Sequence, residues 1–296
     1  MNWWVILNPS AGRGNAAGDL QKMTEAALDS VGIEYVLHVP QSSAEVADII
    51  ADGARRGVSA FVAVGGDGTA HDVVNGIMGC SWETRPVLGI LPAGSGSDFI
   101  RTFGIPEDLG RAAAHLTGDG LYRCDVGKVE GSFGTRFFLN EVSLGITAAT
   151  LERALRLPAR LGKLRYTAAF WLTIGRFRPG AVRAQVDGRP IAADAMAVVI
   201  ANGQFFGGAM NVAPRASVGD GIFDVQVFSG PRRQAFTVMP RVARGTHLTL
   251  RAVQRRTGSV ITIECPEDWP IEADGEVIGD GRIAVQVIPG AIDFKI

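Results

Sequence analysis

No run of apolar residues in this 296-residue chain reaches the roughly 18 that a membrane-spanning helix needs. Met1-Asn2-Trp3-Trp4 has no basic start, and its apolar run stops at Asn8-Pro9, so no secretory leader is expected. Cysteine is scarce. Cys80, Cys124 and Cys265 are far apart, odd in number and form no CxxC pair, which fits small residues in a reducing cytosol rather than a disulfide framework. Excess charge is missing too: the formal net charge is -1, so there is no global basic field of the kind a nucleic-acid binder uses. There is no internal repeat and no low-complexity linker. The chain also lacks both common phosphate-loop patterns, GxxxxGK[ST] and GxGxxG. The expectation is a cytoplasmic protein with no nucleic-acid partner, whose membrane contact is transient and peripheral.

What is present is ordinary globular composition, 47% hydrophobic and 20% charged. The length suits two domains of about 100–200 residues each. The first part alternates strand and helix patterns. Trp3–Leu7, Ile33–Val39, Ala60–Val64 and Val87–Leu91 read as strands. Ala16–Val31, Ala44–Arg56 and Ala70–Met78 read as helices, the second ended by Gly57. This rhythm predicts an α/β domain with a parallel, Rossmann-like sheet and helices on both faces. Beyond Tyr122 short strands dominate: Phe137–Leu139, Ala181–Val186, Ala195–Ala201, Ile222–Phe228, Val260–Glu264 and Ile283–Ile288. Asp187-Gly188, Asp220-Gly221 and Asp274-Gly275 punctuate them as antiparallel hairpins require. A helical stretch, Leu151–Phe177, interrupts the run. The reading divides the chain into an α/β domain, residues 1–123, and a β-sandwich domain, residues 124–296, and leaves open a return of the last strand to the first domain.

Two glycine loops follow the third and fourth strands: Gly65-Gly66-Asp67-Gly68-Thr69 and Pro92-Ala93-Gly94-Ser95-Gly96. A glycine turn between a buried strand and a helix start offers backbone N–H groups to an anion, and adjacent turns would share the carboxyl edge of the sheet. Asp67 stands out, because a carboxylate there repels phosphate unless a divalent cation bridges them or it approaches a reacting hydroxyl. The other reading makes Asp67-Gly68 a tight turn that opens the next helix.

Three segments, Leu7-Asn8-Pro9-Ser10-Ala11-Gly12, GGDGT at 65–69 and Leu91-Pro92-Ala93-Gly94-Ser95-Gly96-Ser97-Asp98-Phe99, occur in an order and spacing that resemble the catalytic domain of the diacylglycerol kinase and sphingosine kinase family, particularly its soluble bacterial lipid kinases. The likeness continues through Cys124-Asp125-Val126-Gly127, Phe138-Leu139-Asn140-Glu141, Gly207-Gly208, Ala213-Pro214, Asp220-Gly221 and Asp274-Gly275-Glu276. It implies an α/β nucleotide-binding domain and a β-sandwich domain with ATP in the cleft between them. Asn8, Gly65, Gly66, Asp67, Gly68, Thr69, Ala70, His71 and Asp72 would contact ATP. Ser95, where the family usually has Thr, keeps a hydroxyl for the phosphates. Asp67 would position Mg²⁺ and the γ-phosphate, Glu276 would be the general base, and Asp98 and Asp125 match acids of the active-site network. A structural Mg²⁺ would take Asp220 with the Ser217 and Ile222 carbonyls. By themselves the last two motifs read equally as hairpin turns. Departures are Pro40, where the family often has a nucleotide-contacting Thr, His71-Asp72 for Asn-Glu, and Ser97 for Asn.

The implied reaction moves the γ-phosphate of ATP to a lipid hydroxyl, diacylglycerol first. Alternatives are another lipid (a sphingoid base or phosphatidylglycerol), a soluble cofactor such as NAD, and a non-catalytic lipid- or nucleotide-binding regulator. The last predicts lost acids, yet Asp67, Asp98, Asp125 and Glu276 are all present. Oligomeric state is not legible, and a homodimer is left open. Pro231–Gly258 holds seven arginines and no acid, and Tyr166–Phe177 sets Phe170, Trp171, Leu172, Ile174 and Phe177 beside Arg165, Arg176 and Arg178. Each reads either as a lipid-facing surface or as an ordinary solvated face and core stripe.

Overall fold

In the computed structural model, which describes residues 2–11, 17–94, 97–158, 161 and 164–296, the chain forms two units: Met1–Asp125 with Pro289–Ile296, and Val126–Ile288. In the first, β1 (Trp3–Leu7), α1 (Ala17–Ser30), β2 (Tyr35–His38), α2 (Ser43–Arg55), β3 (Ala60–Gly65), α3 (Asp67–Met78) and β4 (Val87–Pro92) alternate, followed by the short helices α4 (Asp98–Arg101) and α5 (Leu109–Ala113). β1, β3 and β4 are buried at every position, as continuous apolar runs covered on both faces should be. All pairings are parallel in the order β2-β1-β3-β4, and the end of β17 (Ile283–Lys295) adds a further parallel strand, with Asp293 opposite Val87. Right-handed crossovers then place α1 on one face and α2 with α3 on the other. α2 and α3 do pack together, as do α1 and α5.

The helix signals have local causes. The Ser42 hydroxyl caps α2 by accepting from the Glu45 N–H at 3.3 Å, while the Glu45 carboxylate takes the Gln41 N–H at 2.7 Å. Gly57, at φ +77, follows the end of that helix. The largest difference from the sequence reading is at α3, which begins at Asp67 rather than Ala70. Gly66 is its extended N-cap, so most of GGDGT is the first helical turn.

β5 (Leu121–Gly131) leads into the second unit, built from β6 (Gly134–Phe138), β7 (Glu141–Gly145), α6 (Ile146–Arg156), α7 (Leu164–Ile174), β8 (Gly180–Val186), β9 (Arg189–Ala201), the small hairpin β10 (Phe205–Phe206) and β11 (Met210–Asn211), β12 (Phe223–Ser229), α8 (Ala235–Val242), β13 (Val253–Gly258), β14 (Val260–Glu264), β15 (Pro270–Ala273) and β16 (Glu276–Asp280). Its described pairings are antiparallel. β9 is long because it serves two neighbourhoods: its first half pairs with β8, and its second half lies between β7 and β12. β8 and β14 alternate buried and exposed residues, the signature of strands with one face on a core. Phe138 and Phe223 stack in that core at 5.5 Å, and a large side chain so buried contributes roughly 1.5–3 kcal/mol.

The mixed α/β fold with a parallel N-terminal sheet and a β-rich C-terminal part matches the sequence expectation. β5, β7, β13, β15, β16 and α8 were not foreseen. β7 and β15 hide Glu141, Ser143 and Glu272 in buried strands, β13 carries Arg255 and Arg256, and α8 contains Pro240. The expected helix over 151–177 is two helices, α6 and α7, with Pro158 between them.

Lys295 closes the first unit. It is buried, and its ammonium donates to the carbonyls of Thr117, Gly118 and Gly120 at 3.0, 3.1 and 3.0 Å. Lys295→Met strands those acceptors and should lower stability by about 2–3 kcal/mol in urea denaturation.

Candidate active site

The two glycine turns meet at one edge of the parallel sheet. Gly65 stands opposite Pro92, so the turns leave β3 and β4 at the same height. The Ala93 N–H donates to the Gly65 carbonyl at 2.9 Å. A Cβ on Gly94 would lie 2.6 Å from Gly66 Cα, and one on Gly65 would lie 2.1 Å from Thr69 Oγ1. Only glycine fits at either place.

Asp67, at the positive end of α3, accepts the Asp98 N–H with both carboxylate oxygens, at 3.1 and 3.3 Å. Asn8, just past β1, donates from its side chain to Thr69 Oγ1 at 3.1 Å and accepts the Ser10 N–H at 2.9 Å. These bonds gather Asn8, Gly65–Thr69, Gly94 and Asp98 at the carboxyl ends of three neighbouring strands, where open α/β sheets place ligands. Ser95 lies outside the described residues, as do Gly12 and Gly96 of the quoted motifs. Ala70 and His71 are buried in α3, leaving the loop surface to their predecessors. Asp72 bonds the Ser43 hydroxyl at 2.9 Å; burial raises its carboxyl above the usual range, with the Ser43 bond opposing. Asp98 is buried beside Arg101, whose guanidinium also pairs with Glu107. Asp125 is buried on β5 and accepts the Gly290 N–H at 2.7 Å.

In the second unit Glu276 is exposed at the start of β16, directly after a two-residue turn. Asp274 and Gly275 have φ of +49 and +85, the left-handed pair that a type I′ hairpin demands. Yet Asp274 is no surface turn residue. It is buried, and its carboxylate accepts the backbone N–H groups of Leu139, Asn140 and Glu141 at 2.7, 2.8 and 3.1 Å. Glu272 is buried as well, taking the Ser143 hydroxyl at 2.5 Å and the Gly275 N–H at 3.1 Å. Burial pushes its carboxyl up, while a bond to the Glu141 side chain and those from Ser143 and Gly275 oppose the shift. The hairpin that presents Glu276 is thus anchored from inside by two carboxyl groups.

Residues 2–129 match the diacylglycerol kinase catalytic domain, and residues 140–295 match the YegS C-terminal NAD kinase beta sandwich-like domain. This chain belongs to the diacylglycerol kinase-like lipid kinase family. A diacylglycerol kinase of Mycobacterium tuberculosis is 28% identical over 97% of the chain and 93% of its own length. One of Bacillus subtilis is 28% identical over 93% and 89%, and the lipid kinase YegS of Escherichia coli 26% over 91% and 88%. Solved structures described as a diacylglycerol kinase from Bacillus anthracis superpose with TM-scores of 0.83 and 0.75 at 22% and 21% identity, covering 99% of this chain and 96% of theirs. They share its fold.

For a lipid kinase of this family a divalent ion is the expected companion of the nucleotide. Among the described residues no group of three or more His, Cys, Asp or Glu side chains is arranged to hold one. Asp220 is exposed and accepts the Ile222 N–H at 3.3 Å, a short turn into β12. Its carboxylate and nearby carbonyls are the hard oxygen donors that Mg²⁺ takes. Glu272 and the anchoring task of Asp274 escaped the sequence reading. The available signal was two acids at alternate positions of Ile271-Glu272-Ala273-Asp274, which the period of a strand puts on the same face.

Because Glu272 holds its proton more tightly when folded than when unfolded, the folded chain gains stability at low pH that fades as pH rises through the raised value. Glu272→Gln cannot ionise, so urea denaturation across a pH series should show a flatter loss of stability than wild type as pH rises above the ordinary Glu range. Asp274→Ala leaves three buried N–H groups without their acceptor and should cost about 3 kcal/mol in the same measurement.

Proposed function

We propose that this lipid kinase transfers the γ-phosphoryl group of ATP to the hydroxyl of diacylglycerol, giving phosphatidic acid. The observation that carries the reading is the pair of glycine turns in backbone contact at the start of α3. There the two turns lie backbone against backbone at the positive end of the α3 dipole, a setting that favours an anion. The names of the relatives, diacylglycerol kinase and lipid kinase, support the acceptor class.

In this reading Asn8 and residues 65–69 hold the nucleotide, with Ala70, His71 and Asp72 behind them in α3 and Ser95 beside the phosphates. Asp67 and Asp98 fix the geometry of the two turns, and Asp125 belongs to the same acidic set. Mg²⁺, when bound, would supply charge neutralisation to the phosphates, with Asp67 as its ligand; a structural ion would take Asp220 with the Ser217 and Ile222 carbonyls. Glu276 accepts the proton of the lipid hydroxyl. An alcohol is a poor nucleophile until that proton has somewhere to go, and an exposed carboxylate on an anchored hairpin suits the task. A sphingoid base or phosphatidylglycerol remains an alternative acceptor with the same chemistry, and NAD a soluble one. The protein would work in the cytoplasm, in peripheral contact with membranes.

Incubation of the purified chain with γ-labelled ATP, Mg²⁺ and diacylglycerol, a total lipid extract or NAD, resolved by thin-layer chromatography, should label phosphatidic acid. Label in NAD alone, or none at all, overturns the reading. Glu276→Gln should lower kcat on the order of 10²–10⁴-fold while leaving the KM for ATP near wild type. Full activity in that variant would remove Glu276 as the base.

A further inference from the structure

Basic and acidic residues are unevenly divided along this nearly neutral chain. Residues 153–186 contain eight Lys and Arg, and residues 231–258 contain seven. Together they hold 15 of the 29 cations and none of the 30 acids. The first stretch contains α7 and the second α8, both in the second unit, and the two are joined there. Trp171 of α7 stacks on Phe236 of α8 at 4.6 Å and 26°, and Arg232 donates to the carbonyls of Gly175 and Arg176 at 3.0 and 3.5 Å.

The inner side of this helix pair is satisfied. Ile174 packs with Ile146, Met196 and Ala197, and Phe170 and Ala235 lie against that cluster. The outer side is not. Leu164 is 71% exposed, Phe236 67%, Leu172 53% and Trp171 39%. Leu164, Trp171 and Leu172 fall at i, i+7 and i+8, one stripe of a helix. A stacked aromatic pair and two leucines left in water is unusual for a monomer surface. The exposed cations of the second stretch include Arg233, Arg241 and Arg244, and Arg165 of α7 is half-buried against Tyr166. α6 and α7 also line a cavity of about 380 Å³ edged by Arg153, Arg156 and Arg176, with Glu152 the one acid among its lining residues.

We propose that the face built by α7 and α8 docks on an anionic lipid bilayer. Apolar side chains on a basic background match such a surface twice: the rings and leucines enter the headgroup boundary, and the guanidinium groups meet lipid phosphates. A second copy of this chain would bring the same positive charge against itself. A soluble acidic partner would explain the arginines but not the exposed stripe. The inference rests on the surface alone and not on the assignment of the reaction.

The test is sedimentation of the full chain with vesicles of phosphatidylcholine, or of phosphatidylcholine mixed with phosphatidylglycerol, without diacylglycerol. Wild type should pellet with the anionic vesicles, less so as salt is raised, and stay in solution with the neutral ones. Arg233→Glu with Arg241→Glu, and separately Trp171→Ala with Phe236→Ala, should each reduce partitioning on the order of tenfold. Phosphorylation of a short-chain, water-soluble diacylglycerol should be unchanged in both double variants. Equal binding to both vesicle types, or wild-type partitioning by both variants, overturns the proposal. So does a wild-type dimer that the aromatic variant converts to monomer without any change in vesicle binding. Binding to anionic vesicles by a chain that phosphorylates no lipid would leave the docking in place and remove the kinase reading.

Discussion

The contact between Gly66 and Gly94 is the constraint on which the rest of the first unit turns. β3 and β4 are adjacent and in register to their last residues, so the turns after them compete for the same space. The competition is resolved by removing side chains from both, and a Cβ on Gly94 would fall within 2.6 Å of the other backbone. With no side chain at Gly66 or Gly94, the turns meet backbone against backbone at the N-terminus of α3. Asp67 then fixes the second turn to the first through the Asp98 N–H. A carboxylate that looked out of place beside phosphates therefore has a structural task before any ion is considered. Its position at the N-terminus of α3 makes its charge favourable to the helix.

The second unit solves a different problem, the rigid display of one exposed carboxylate. A two-residue type I′ hairpin is enough to form the turn before Glu276, but an isolated hairpin end is only marginally ordered in water. Here the turn is tied into the protein through Asp274 and Glu272, whose partners are backbone N–H groups and the hydroxyl of the neighbouring β7. Burial leaves no water to replace such bonds, so their loss is expensive. The three acids of the stretch 272–276 thus divide their tasks, two held inside and one held out.

How much of this was legible in the sequence follows the physics of each signal. Apolar runs such as Ala60–Val64 and turn pairs such as Asp187-Gly188 act locally, so the parallel sheet and several hairpins could be read directly. The start of α3 was misplaced because Gly66 and Gly68 look like loop residues, while the helix is set by the N-cap geometry of Gly66 and by the acid that follows it. β7 and β15 were invisible for the opposite reason. Buried polar residues look like surface until their partners are known, and Ser143 and Glu272 are 129 positions apart. The candidate site divides in the same way. Asn8, Gly65–Thr69 and Glu276 stood out through motif resemblance, whereas the residues that hold them in place answer to partners far along the chain.

The arginine-rich stretch shows why a charge run cannot be read as one object. Of the seven arginines between 231 and 258, Arg255 is committed to the protein, its Nε at 2.7 Å from the buried Asp224, which Gln226 also bonds. Arg232 is spent on the carbonyls at the end of α7. Both are needed for the fold: one neutralises an acid that would otherwise be buried with its charge, and the other fastens α8 to α7. The exposed Arg233, Arg241, Arg244, Arg251 and Arg256 are the residues on which a lipid surface can act. Arg232 fastens the start of α8, the helix that carries Phe236 and Arg241, to the end of α7, the helix that carries Trp171.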